Sequence, residues 1–291
     1  MDWTVSVEEC KDEHTFAAET SNSEALEPHS LSEAKKCPDW PLWEKAIQEE
    51  LAALKAAGTW EVVDAPEGVN IVGSKWVFKA KKDAAGNVVR YKARLVAQGF
   101  SQVLGIDYFD TFMPMARLAS ICTVLVFTAA EDYETGQIDI KLTYLNRELM
   151  EEVIFMKQAP GFSEVGEDGK VKVWRLLKML YGLKQARRRW YHKLVMIITK
   201  LGFSRCGGDQ AVLFRRCEKM VVLIIVLVHV DDCSIVGKTK TLIARFKIKI
   251  TKFVDITDMG ELHWILGIEV HHICEEKRLL LSQKSYINSI L

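Results

Sequence analysis

An unbroken run of eight apolar residues, 221–228, passes through His229 and Val230 into the acidic pair Asp231-Asp232. A short run of this kind, rich in Val and Ile and bounded by polar residues, fits a strand buried on both faces. The carboxylates cannot follow it into the core. Two anions at a strand end need a polar turn, where water, a hydrogen-bond donor or a cation compensates them. Residues 233–237 (CSIVG) then become apolar again, as expected of a partner strand coming back. The chain should therefore contain a sheet whose centre ends in negative charge.

Other segments supply the layers around that sheet. After Pro38-Asp39-Trp40-Pro41, the residues Trp43, Ala46, Ile47, Leu51 and Leu54 recur at helical spacing until Gly58, which predicts an amphipathic helix. Residues 72–99 form two β-rich arms around a turn at 83–87, a hairpin signature, with Lys and Arg on both arms. Helices are expected over 118–130, 188–200 and from 239 to about 253, and strands over 137–140, 171–177, 264–270 and 279–282. Residues 1–36 hold nine acids and three bases without periodicity, so a disordered tail is expected there. The remaining 36 bases against 30 acids make a mildly basic body within a chain of zero formal charge, a hint of an anionic partner.

The seven cysteines are scattered without a C-x-x-C pair, which excludes a zinc ribbon and points to a reducing compartment. No leader-like segment opens the chain, and the longest apolar run falls far below the ~18 residues of a membrane span. A soluble, non-secreted protein with no membrane partner is expected.

The chemistry concentrates in Asp139, at the end of a short strand, together with Asp231 and Asp232. Carboxylates on strand ends can meet, and hard oxygen donors suit magnesium, which takes one or two carboxylates and completes its shell with water and substrate phosphates. Side chains alternate along an extended chain, so Asp231 and Asp232 cannot both aim at one point; Asp231 is expected to be the stronger ligand. An acidic β-turn beside an unrelated Asp139 is the other reading of these residues. His271-His272 with Cys274 is a poor metal candidate, since adjacent strand residues point to opposite faces.

The segment IDIKLTYLNRELMEEVIFMKQAPGF resembles the first catalytic motif of copia-type retrotransposon reverse transcriptases, and LVHVDDCSIVG resembles their catalytic hairpin. SKWVFKAKKDAAGNVVRYKARLVAQGFSQVLGIDYFDTFMPMARLASI is similar to their fingers, LLKMLYGLKQARRRWYHKL to their central palm motif, and MGELHWILGIEV with LSQKSYINSIL to the region after the palm. The resemblance covers roughly residues 40–291. It implies an α+β fold of fingers and palm, with an antiparallel palm sheet backed by helices over residues 37–291. It further implies an RNA-directed DNA polymerase, the region of a Pol polyprotein that uses an RNA or DNA template with a primer and deoxynucleoside triphosphates. Asp139, Asp231 and Asp232 would be catalytic and would hold two Mg2+ ions, with Mn2+ as a substitute. Lys92 and Arg94 match positions that clamp the triphosphate, or else lie on a solvated basic hairpin. Tyr144 matches the aromatic that excludes a ribose 2′-hydroxyl, or else is core packing. Lys184 and Gln185 lie in the motif that contacts template and incoming nucleotide, and His229 would stand at the primer terminus. The implied location is intracellular, in a cytoplasmic element particle, with the nucleus as a second compartment.

Several positions depart from the family pattern. His229 stands where Tyr is usual, Arg187 where Pro is usual, Cys122 where Arg is usual and Arg147 where Gly is usual, while Leu142-Thr143 replace a small pair. None removes a carboxylate, yet all fall within motifs. The chain also stops before an RNase H domain would begin, so a truncated C-terminal side is expected. Two rival readings follow: an impaired remnant that binds nucleic acid without polymerising, and a metal-dependent nuclease.

Overall fold

The computed structural model describes residues 27–83, 87–140, 152–166, 169–217, 221–273 and 276–290. Along the chain the elements are α1 (Leu31–Ala34), α2 (Trp40–Ala56), β1 (Trp60–Val63), β2 (Ile71–Lys82), β3 (Val88–Gln98), α3 (Leu118–Ala130), β4 (Glu134–Ile140), β5 (Ile154–Lys157) and β6 (Val173–Leu176). They continue as α4 (Ala186–Lys200), β7 (Ser204–Arg205), β8 (Val212–Arg216), β9 (Val222–His229), β10 (Asp232–Gly237) and α5 (Lys240–Ile250). The last are β11 (Ile256–Gly260), β12 (Trp264–Ile265), β13 (Ile268–Ile273), β14 (Arg278–Ser282) and α6 (Lys284–Ile290).

Three sheets result among the described residues. A five-stranded sheet has the order β1-β6-β5-β2-β3 and is antiparallel except for the β2–β5 pair. A six-stranded antiparallel sheet has the order β11-β4-β10-β9-β8-β7, and a three-stranded meander is formed by β12-β13-β14. The fold is thus mixed, with mostly antiparallel sheets, as the motifs imply.

The apolar run behaves as a doubly buried strand. Ile224, Val226 and Val228 of β9 join the core that contains α4 and α5, whereas Ile225 and Leu227 join a second core with Ile121, Val124 and Leu125 of α3. Both faces of β9 are therefore buried, one in each core, while the edge strands β7 and β11 are exposed. The basic hairpin β2–β3 is anchored differently. Trp43 of α2 packs edge-on against Phe78 and Tyr91 at centroid distances of 5.3 and 4.6 Å, an arrangement that favours the ring quadrupoles.

Several boundaries differ from expectation. The order expected from residue 37 begins earlier: Ser30 Oγ accepts from Glu33 N at 3.2 Å to cap α1, Ala34 is fully buried, and Glu27 accepts from Lys79 Nζ and Ala80 N. Low hydrophobicity hid this turn because its anchor is a small alanine and a cap. The strand expected over 264–270 is split by Leu266 and Gly267, both at positive φ (52° and 78°), into β12 and β13. A leucine in a left-handed turn looks like part of an apolar run. α4 starts at Ala186, which places Arg187 inside its first turn rather than before it. α5 ends at Ile250, short of residue 253.

Candidate active site

β9 and β10 pair His229 with Asp232, which leaves Val230-Asp231 as a two-residue turn. Val230 adopts φ 55°, a conformation that costs a β-branched residue roughly 1–2 kcal/mol and where tight hairpins usually place Gly. Two contacts hold it there. Trp190 Nε1 of α4 donates to Val230 O at 2.8 Å, and Ile140 N of β4 donates to Asp231 O at 2.9 Å. The acidic tip is thus fixed from a helix on one side and a strand on the other.

β4 lies antiparallel to β10 with Asp139 directly opposite Asp232, so the two side chains share a face. Gln137, two residues earlier on that face, donates from Nε2 to both Asp232 oxygens at 2.9 Å. Burial raises the Asp232 carboxyl above its ordinary range; the Gln137 hydrogen bonds oppose this, and Asp139 adds to it. The strand register therefore brings the three carboxylates to one place, but they do not point alike. Asp139 and Asp231 line a cleft of about 570 Å3, whereas Asp232 does not.

The opposite wall of that cleft is basic. Lys92 and Arg94, two apart on β3, share it with Lys81 and Arg90. The Lys92 ammonium is held below its usual range, first by burial and then by Lys81, Arg90 and Arg94, with Asp139 working in the other direction. The Arg94 guanidinium lies 4.9 Å over the ring of Tyr181, a cation–π contact that restricts where the cation can go. Arg94, Tyr181 and Asp231 also line an adjoining cleft of about 530 Å3 with Lys184 and Arg187. Lys92 is repelled by Lys81, Arg90 and Arg94, with Glu50 of α2 beside Arg94 and Lys92, and a bound group carrying phosphate oxygens would relieve that repulsion.

The loop between the walls is held closely. Gly182 sits at φ 89°, and a Cβ there would come within 2.1 Å of Ala97 O, while Tyr181 O accepts from Ala97 N at 2.7 Å. Only glycine fits such an approach. Lys184 Nζ reaches Tyr108 Oη at 3.2 Å and Gln102 O at 3.3 Å. Gln185 is buried; its Oε1 accepts from Gln102 Nε2 at 3.1 Å and its Nε2 donates to Asp107 O at 2.9 Å. In this structure Gln185 locks the loop and lines neither cleft, whereas Lys184 is part of the wall. His229 is half-buried beside Asp232, and its Nδ1 is buried without a hydrogen-bond partner among the described residues. Tyr144, Leu142, Thr143 and Arg147 lie outside the described residues. Sequence reasoning missed Gln137, Tyr181 and Trp190. Gln137 carried a usable signal, its two-residue offset from Asp139 on a strand.

Among the described residues, no group of three or more His, Cys, Asp and Glu side chains converges as a ready-made metal cage. Asp139 and Asp231 are hard carboxylate donors on the cleft, which Glu49 and Glu50 of α2 also line, Glu50 within the field of Arg94 and Lys92. That set fits a magnesium ion whose shell is completed by water and substrate phosphate, and it does not fit a soft or closed structural site.

Residues 57–291 match the family described as "Reverse transcriptase (RNA-dependent DNA polymerase)". The chain is 41% identical over 269 residues to the Retrovirus-related Pol polyprotein from transposon TNT 1-94 of Nicotiana tabacum, covering 92% of this chain and 20% of that protein. It is 36% identical over 250 residues to the Retrovirus-related Pol polyprotein from transposon RE1 of Arabidopsis thaliana, covering 86% and 17%. The chain thus spans about a fifth of the length of the curated relatives it matches. A profile match over most of the chain and these relatives agree with the acidic hairpin and its basic counter-wall: the chain belongs to the reverse transcriptase family, as the reverse-transcriptase region of a copia-type retrotransposon Pol polyprotein.

Proposed function

We propose that the chain catalyses template-directed transfer of a deoxynucleotide to a primer 3′-hydroxyl, with the six-stranded sheet as palm and the five-stranded sheet as fingers. The observation that carries this reading is the single cleft in which Lys92 and Arg94 face Asp139 and Asp231. Asp139 and Asp231 would hold Mg2+, or Mn2+ in its place. When bound, the metal supplies charge neutralisation at the phosphoryl oxygens. The protein's own share is positioning. Lys92 offers a point charge and Arg94 a planar pair of donors to the triphosphate, and Tyr181 keeps the guanidinium from swinging away. Trp190 and Ile140 fix the hairpin tip, since a reacting group displaced by about 1 Å can cost ~100-fold in rate.

Primer extension on an RNA template tests the reading. Asp139→Asn and Asp231→Asn each remove a ligand charge at nearly constant volume, so each should lower magnesium-dependent extension by roughly 100-fold or more with an unchanged circular dichroism spectrum. Extension by either variant at the parent's rate would refute the assignment.

One observation supports a second reading, an impaired copy that binds primer–template without extending it. The buried Nδ1 of His229 has no partner among the described residues and lies beside the acidic tip. Such a copy would retain a primer–template in a binding assay while adding no nucleotide.

A further inference from the structure

We infer that Gln137 is a positioning residue that keeps Asp232 out of the cation-binding set, so that of the three strand-end carboxylates only Asp139 and Asp231 line the cleft. The inference rests on the polymerase reading of the cleft and adds to it. Register places Asp232 opposite Asp139 on one face of the sheet, close enough for both to approach the same ion. Yet Asp139 and Asp231 line the cleft and Asp232 does not. The difference is Gln137, whose amide nitrogen lies 2.9 Å from each Asp232 oxygen and shares an N–H between the two. A carboxylate bound at both oxygens has its strongest lone pairs directed along the strand toward the amide.

This arrangement has a chemical use. Magnesium in phosphoryl-transfer sites takes one or two carboxylates and leaves the rest of its octahedral shell to water and substrate phosphates. A third protein carboxylate would occupy a place that a phosphate oxygen needs, and it would hold the ion in the absence of substrate. Gln137 prevents this without removing the charge, because it offers Asp232 the hydrogen bonds that a cation would otherwise replace.

The test reads metal binding directly by titrating the full chain, free of nucleic acid and nucleotide, with Mn2+ and counting unbound ion by electron paramagnetic resonance. Gln137→Leu, similar in size but without a donor, should bind Mn2+ about tenfold more tightly, the scale of one hydrogen bond to a charged group that no longer competes. Adding Asp232→Asn to that variant should abolish the gain. Unfolding curves establish that each variant is folded, and Gln137→Met serves where Gln137→Leu does not fold. Unchanged or weaker binding in the donorless variant, or a gain that survives Asp232→Asn, overturns the inference. Asp139→Asn and Asp231→Asn should each weaken Mn2+ binding in the same assay; if neither does, it is the reading of the cleft that fails.

Discussion

At Asp232 the fold holds a carboxyl that burial, aided by Asp139, pushes above its ordinary value of 3.8. A carboxyl whose folded value is raised favours the protonated form in the native state, so its ionisation opposes folding as pH rises through that range. In metal-free buffer, Asp232→Asn should therefore raise the melting temperature at neutral pH, and the gain should vanish as pH falls to 3.8. A gain that persists at acid pH would mean that it does not arise from the ionisation of Asp232, and none at neutral pH that Gln137 fully compensates the charge. Individual residues were unevenly legible in the sequence. Asp139, Asp231 and Asp232 announce themselves because carboxylates at strand ends need a reason. Gln185 does not, because its partner Gln102 lies 83 residues away and only the folded chain shows that its amide is used inside the protein.

The hairpin β9–β10 shows what a whole element adds. Its existence was readable from an apolar run followed by two acids, and the basic β2–β3 hairpin from its two arms. The device that holds the tip was not, since the indole of Trp190 comes from a helix 40 residues earlier. Trp190→Phe should leave Val230 O without its donor and lower stability by about 1–3 kcal/mol. It should also slow single-turnover extension more than it weakens primer–template binding. Unaltered extension in a variant destabilised as expected would show that the tip needs no such support. α4 yields a second expectation. Arg187 occupies its first turn, where a proline is tolerated and a cation opposes the helix dipole. Arg187→Pro should add about 0.4–1 kcal/mol of stability by restricting the unfolded chain. Combined with His229→Tyr, which restores a larger ring beside the acidic tip, it should raise single-nucleotide extension above the parent. No gain in the double variant, with the parent already active, would remove the impaired-copy reading.

Across the whole molecule, two sheets built from distant parts of the chain meet so that cations of one face anions of the other. Neither half was informative as charge alone, for the formal net charge is zero. The meeting depends on a glycine, Gly182, that lets one backbone cross another within hydrogen-bonding distance at Ala97 and Tyr181. The order of motifs in the sequence implied such a cleft, but its walls could be assigned only from the structure. The most direct test is iron-directed cleavage. With Fe2+ substituted for magnesium in the presence of primer–template and nucleotide, ascorbate and peroxide generate hydroxyl radicals at the bound ion, and mass spectrometry locates the backbone cuts whether or not the copy is catalytically competent. The account predicts cuts at Asp139, at Val230-Asp231 and across the cleft near Lys92 and Arg94, all suppressed by excess Mg2+; cuts confined elsewhere, or cuts indifferent to Mg2+, would contradict it.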